Sequence, residues 1–234
     1  FSRQIGDYFK ICELWGIYQT LGIIINGVPG LGKTASADYL ATSNICKNVV
    51  KIDMTKKLNT PFMEIVDDIF DEIVDGSTVV LIDEVDKYLD YRIRKTYRES
   101  VNSQSKDEEG KTKGQIEDKN EYMINFKQDF LYELLSILEN TYHKGGLVYV
   151  FCTNNFKSIF EGIDTTHFNS LERRFVKIDF NKCDSGEFAD YVRYHNNKLK
   201  GQKWFVPEDE LEILLKDIRD GISITFRDLW HLYI

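Results

Sequence analysis

Residues 22–34 read Gly22-Ile23-Ile24-Ile25-Asn26-Gly27-Val28-Pro29-Gly30-Leu31-Gly32-Lys33-Thr34, a short apolar run, a glycine-rich turn and then a basic and a hydroxyl residue. The run Gly22–Asn26 predicts a buried strand, and the stretch after Thr34 a helix. The turn itself fits the pattern GxxxxGK[ST] in the strand–turn–helix setting that pattern requires. Its glycines let backbone N–H groups close around phosphate oxygens, and the following helix N-terminus favours an anion. Gly27, Val28, Pro29, Gly30, Leu31, Gly32, Lys33, Thr34 and Ala35 are therefore the candidate phosphate-binding residues, with Lys33 reaching the β- and γ-phosphates and the Thr34 hydroxyl on Mg²⁺. A Gly/Pro turn that matches by chance is the alternative.

Outward from this stretch, short apolar runs alternate with amphipathic ones, the pattern of a parallel sheet wrapped by helices. Further strands are expected at 49–53, 79–83, 147–153 and 175–180. Phe62, Ile65, Val66, Ile69, Phe70 and Ile73 recur at helical spacing, with Thr60 as the expected cap and Pro61 at the first helical position. A second amphipathic helix runs through Phe126, Phe130, Leu131, Leu134, Leu135 and Leu138. After Asp184 the strand signals stop, and 185–199, 207–219 and 225–234 read as three helices of a small lid.

The run Val79-Val80-Leu81-Ile82-Asp83-Glu84-Val85-Asp86 carries the second chemical signal. A carboxylate at the end of a buried apolar strand is costly unless it meets a cation or donors. Asp83 is thus a candidate Mg²⁺ ligand, and Glu84, pointing elsewhere, a candidate general base for an attacking water. An acidic turn after a strand is the plainer reading.

Together these two motifs resemble those of AAA+ ATPases, and the resemblance runs from about Gly22 to Trp230. It implies a P-loop NTPase α/β core with a five-stranded parallel sheet in the order 5-1-4-3-2 and a small C-terminal helical lid, divided as 1–183 and 184–234. It also implies ATP and Mg²⁺ as cofactors. Thr153-Asn154-Asn155 closes the fourth strand, so Asn154 matches the family's sensor-1 position and would orient the water. Leu171-Glu172-Arg173-Arg174-Phe175 resembles an element of AAA+ disaggregases whose arginines reach the neighbouring subunit's nucleotide. An arginine finger in trans is worth about 10³–10⁵ in rate in related GTPases, and Arg173 and Arg174 in this role require a homo-oligomer, a ring or an open spiral. Arg227, within Ile224–Leu229, resembles the sensor-2 arginine of the lid. Two departures limit the likeness. Residues 54–61 carry Lys56, Lys57 and Leu58 where polypeptide-threading members have an aromatic pore loop. The adenine-pocket region is short, with Ile5-Gly6 as its possible remnant.

Composition bounds the rest. The chain has 234 residues, a formal charge of −8 and 42% hydrophobic residues, a globular make-up large enough to bury a core without disulfide staples. The acidic balance argues against a surface that grips nucleic acid all over, although a local basic patch is compatible with it. No apolar run reaches the roughly 18 residues of a membrane span. Cys12, Cys46, Cys152 and Cys183 are scattered, as are the four histidines, so neither a zinc site nor a disulfide framework is expected, and free thiols suit an intracellular, reducing compartment such as the cytoplasm. Phe1 at the start and an apolar-periodic stretch at Ile234 suggest a piece of a longer protein. Residues 102–121 hold ten charged residues and a lone aliphatic one, Ile116, and suggest a mobile insertion of about 92–125. Its leading edge, Arg92–Arg98, has four basic residues in seven and reads either as a loop that binds nucleic acid or a partner, or as a solvated charged face. The substrate stays open between a remodelled protein and nucleic acid moved by a motor or loader of the viral replication helicase kind. A slow nucleotide-gated assembly switch is the third possibility.

Overall fold

The structure, a computed structural model, describes residues 2–16, 20–42, 45–73, 76–104, 119–139, 146–180, 185–198, 200–202 and 205–219. Five strands, β1 (Thr20–Gly27), β2 (Asn48–Asp53), β3 (Thr78–Asp83), β4 (Leu147–Thr153) and β5 (Phe175–Phe180), form one sheet in the order β2-β3-β4-β1-β5. This is the expected order, read from the other edge. The pairs β1–β4, β3–β4 and β2–β3 are parallel. Val79, Val80, Leu81 and Ile82 of β3 are wholly buried, as a central parallel strand covered on both faces must be. Register places Asn26 beside Thr153, Ile82 beside Phe151 and Asp53 beside Asp83. The carboxyl ends of β1, β3 and β4 thus share one edge of the sheet, where open α/β folds bind ligands.

Helices α1 (Ser2–Trp15), α2 (Lys33–Thr42), α3 (Phe62–Glu72), α4 (Val85–Gln104), α5 (Lys119–Glu139), α6 (Phe156–Ile159) and α7 (Thr165–Glu172) accompany the sheet. In α3 the residues Phe62, Ile65, Val66 and Ile69 are buried at the expected spacing. Its start differs from expectation. Pro61 sits at the N-cap with no side-chain hydrogen bond, and Thr60 does not cap the helix; its carbonyl instead accepts the Tyr88 hydroxyl at 2.8 Å. Gly22 lets β1 pack tightly, because a Cβ there would lie 2.5 Å from the Phe175 ring and 2.9 Å from Leu138.

The helices α1, α4, α6 and α7 were not read as helices from the sequence. In α1 the residues Ile5, Phe9 and Cys12 are buried, a helical stripe that includes Ile5 of the supposed adenine-pocket remnant. The charged stretch 92–125 is helical over 92–104, within α4, and over 119–125, within α5; residues 105–118 lie outside the described ones. Arg92–Arg98 therefore stands on a helix.

The chain divides into two compact units, Phe1–Asn26 with Lys33–Asp179, and Gly27–Gly32 with Phe180–Ile234. The second holds α8 (Ser185–Lys198) and α9 (Glu208–Arg219). Val192, Leu211 and Leu215 are buried there, and so is Asn196, whose side chain donates to Val206 O at 2.9 Å and accepts from Val206 N at 3.0 Å. An ion pair between Arg193 and Glu212 joins the two helices. The third expected helix, 225–234, lies outside the described residues. No helix of the described residues is long and apolar enough to cross a membrane.

Candidate nucleotide site

β1 runs into the turn Gly27–Gly32, which leads into α2. Glycine is required at two points of this turn. A Cβ on Gly27 would lie 2.4 Å from Phe180 O. At Gly32, φ is +84° with nothing within 4 Å of a Cβ, so the backbone conformation alone demands glycine. Val28 is exposed and Leu31 buried.

Directly after the turn, Lys33 and Thr34 open α2, and each meets a residue from a neighbouring strand end. Thr34 Oγ1 donates to Asp83 Oδ2 at 2.8 Å, while Asp83 Oδ1 accepts the Glu84 N–H at 2.9 Å. Lys33 Nζ donates to Asn154 Oδ1 at 2.9 Å, and Asn154 Nδ2 in turn donates to Asp86 Oδ2 at 2.9 Å. Residues 33, 34, 83, 84, 86 and 154, spread over more than a hundred positions of sequence, are thereby brought into one polar group.

The electrostatics of this group suit a charged ligand. Lys33 is only 8% exposed, and burial depresses its pKa below the ordinary lysine value, with Asp86, Glu84 and Asp83 among the groups that oppose the shift. A desolvated ammonium of this kind gains most from an arriving anion. Burial likewise raises the Asp83 carboxyl, against the hydrogen bond from Thr34. Asp83 and Thr34 supply hard oxygen donors, a donor set that fits Mg²⁺, which takes one or two protein oxygens and completes its shell with water and phosphate.

Glu84 differs from its neighbours in backbone and in side chain. Its φ of +60° is the sole positive value at a non-glycine among the described residues, a strained geometry that recurs at functional sites. Oε1 accepts from Lys87 Nζ at 2.8 Å, while Oε2 is buried with no hydrogen-bond partner among the described residues. An orphaned carboxylate oxygen at the end of β3 is an acceptor suited to a water proton.

Arg173 and Arg174 are joined to this group by no hydrogen bond or ion pair among the described residues. Arg174 donates to Ser170 and to Glu139, the latter at 2.8 Å. Arg173, at the C-terminal cap of α7, is exposed and makes no ion pair among the described residues. Arg227 lies outside the described residues. One member of the group was not singled out from sequence, Asp86, which holds both the side chain and, at 3.4 Å, the backbone N–H of Asn154. Its signal was its place two residues after Glu84, on the first turn of α4.

A parallel sheet in this order, a GxxxxGK[ST] turn after β1 and an Asp-Glu pair closing β3 define the class, a P-loop nucleotide-hydrolase core. The comparisons with known proteins narrow it. Residues 23–175 match the model of the ATPase family associated with various cellular activities (AAA), and the chain belongs to that family. It is also 29% identical to Uncharacterized protein L712 of Acanthamoeba polyphaga mimivirus, over 94% of this chain and 47% of that protein. The chain thus spans about half the length of this relative.

Proposed function

We propose that the chain is the Mg²⁺-dependent ATP-hydrolysing module of a homo-oligomer, a ring or a spiral, that remodels a macromolecular substrate. The observation that carries this reading is the paired arrangement at the sheet edge, Lys33 on Asn154 and Thr34 on Asp83. In it the amides of residues 27–35 and the Lys33 ammonium bind the phosphates, and Thr34 and Asp83 hold the metal. Mg²⁺, when bound, offsets the negative charge of the phosphate oxygens. Glu84 accepts a proton from a water that Asn154 orients. The water oxygen bonds to the γ-phosphorus as the bond to the β-phosphate oxygen breaks, giving ADP and inorganic phosphate. Arg173 and Arg174 serve the neighbouring subunit's nucleotide, and Arg227 reports the nucleotide to the lid. Phosphoryl transfer is mainly positioning and charge neutralisation, which is why so many separate polar residues converge on it.

Arg173 suits the trans role better than Arg174, whose guanidinium is engaged within its own chain. The test is subunit mixing. Glu84→Gln and Arg173→Ala should each reduce ATP turnover by at least about 10³-fold, while a mixture of the two should recover part of it, since Arg173→Ala keeps an intact Glu84 and Glu84→Gln an intact Arg173. Wild-type specific activity should also rise with protein concentration. Two inactive variants that stay inactive when mixed, with wild-type activity independent of concentration, would remove the shared site from the mechanism.

A further inference from the structure

We propose that the outward stripe of α4, together with the loop held beside it, binds single-stranded nucleic acid. The proposal rests on the reading of the chain as an ATP-driven module and names the class of its substrate. α4 is sharply two-sided. Val85, Tyr88, Leu89 and Ile93 are buried, whereas Lys87, Tyr91, Arg94 and Arg98, spaced by four, three and four residues, are exposed on one line along the helix. From Lys87 to Arg98 that line is about 16 Å long at about 1.5 Å per residue, the length of several nucleotide phosphates. Arg94 and Arg98 make no ion pair among the described residues. Asp90 borders the stripe, and Lys87 and Lys95 contact Glu84 and Glu99 at 2.8 and 3.9 Å. In a chain of net charge −8 this is a local reversal of sign.

A second set of contacts joins the stripe to the loop after β2. Asn59 Oδ1 accepts from Tyr91 Oη at 3.0 Å and from Lys95 Nζ at 2.9 Å, Asn59 O accepts from Arg92 Nη1 at 3.2 Å, and Thr60 O accepts the Tyr88 hydroxyl at 2.8 Å. Four donors from successive turns of one helix thus hold residues 59–60. They also hold Lys56 and Lys57 near the stripe, on a loop whose own acid contacts, at 3.6 Å to Asp53 and 3.4 Å to Asp68, are long and exposed and easily exchanged for phosphate. Tyr91 decides between polyanions. Its hydroxyl is fixed, its ring is 37% exposed in the midst of the cations, and an aromatic face between basic residues is what single-stranded nucleic acid uses for base stacking. An acidic peptide has no base to stack there.

The experiment is fluorescence anisotropy of labelled oligo-dT with the full chain across a salt series, with and without Mg·ATP in the Glu84→Gln background. Wild type should bind, with log affinity falling by about 0.7 per phosphate neutralised for each decade of salt. Arg94→Glu/Arg98→Glu should weaken binding at least about tenfold and lower that slope by about 1.4, since two phosphate contacts go. Tyr91→Ala should weaken binding at every salt with the slope unchanged, and Tyr91→Phe should retain it. No binding at low salt, or binding indifferent to Arg94→Glu/Arg98→Glu, overturns the proposal; so does poly-glutamate binding in place of oligo-dT, which would make the partner an acidic protein segment. ATP turnover without oligonucleotide, measured on the chain that keeps Glu84, separates the two readings. Turnover without oligo-dT binding removes only this proposal, and oligo-dT binding without turnover removes only the ATPase.

Discussion

Asp86 shows how much of a site can rest on a residue that contacts no ligand in the mechanism proposed. Its carboxylate receives the Asn154 amide nitrogen, which leaves Asn154 Oδ1 turned to Lys33. Asp86→Ala frees that amide to rotate. We expect turnover to fall about 10–100-fold with little change in the KM for ATP, because Lys33 and the turn still bind the phosphates, and Asp86→Asn to recover part of the loss. Steady-state kinetics of the two variants decide it, and a change confined to KM would make Asp86 a binding residue. At this scale the sequence was legible where the backbone itself imposes residue type, as at Gly27 and Gly32, and where the motif fixes the side-chain chemistry, as at Lys33-Thr34. It was silent on the Asn154–Asp86 contact, which joins positions 68 residues apart through the packing of α4 beneath the end of β4. An ordinary aspartate on a first helical turn carries no mark of that contact.

Among the elements, the second unit gives the sharpest test. Asn196 is fully buried and satisfies both polar groups of Val206, so the segment before α9 is fixed to α8 through one side chain. Asn196→Ala should cost about 1–3 kcal/mol, the desolvation of orphaned backbone groups, and should accelerate hydrogen exchange at 205–219 while leaving β1, β3 and β4 protected. Uniform acceleration throughout the chain would contradict this. The strands and α3 were readable because their apolar periods are uninterrupted. α4 was harder to read, because the charge density between Arg92 and Arg98 obscures the apolar stripe of Tyr88, Leu89 and Ile93 that it buries, although arginine and lysine are themselves good helix formers. α1 was missed for a different reason, since its buried Ile5, Phe9 and Cys12 stand among the apolar but exposed Ile11, Leu14 and Trp15, which blur the helical stripe.

For the whole molecule, the sheet order came from the family resemblance that the motifs carry, and β2-β3-β4-β1-β5 is that order read from the other edge. Motif order taken alone places the Glu84-bearing strand beside the phosphate-binding strand, whereas β4 stands between them. Neither oligomer nor substrate is written in such an order, because both depend on surfaces. The left-handed backbone at Glu84 also has a consequence for how this molecule could be engineered. That conformation costs a non-glycine residue about 1 kcal/mol, and the buried Oε2 adds to the burden. Glu84→Gly relieves both, so its melting temperature should equal or exceed that of wild type while its hydrolysis disappears. A variant library ranked by heat resistance alone would therefore promote a dead catalyst, and selection for durability at this position runs opposite to selection for work.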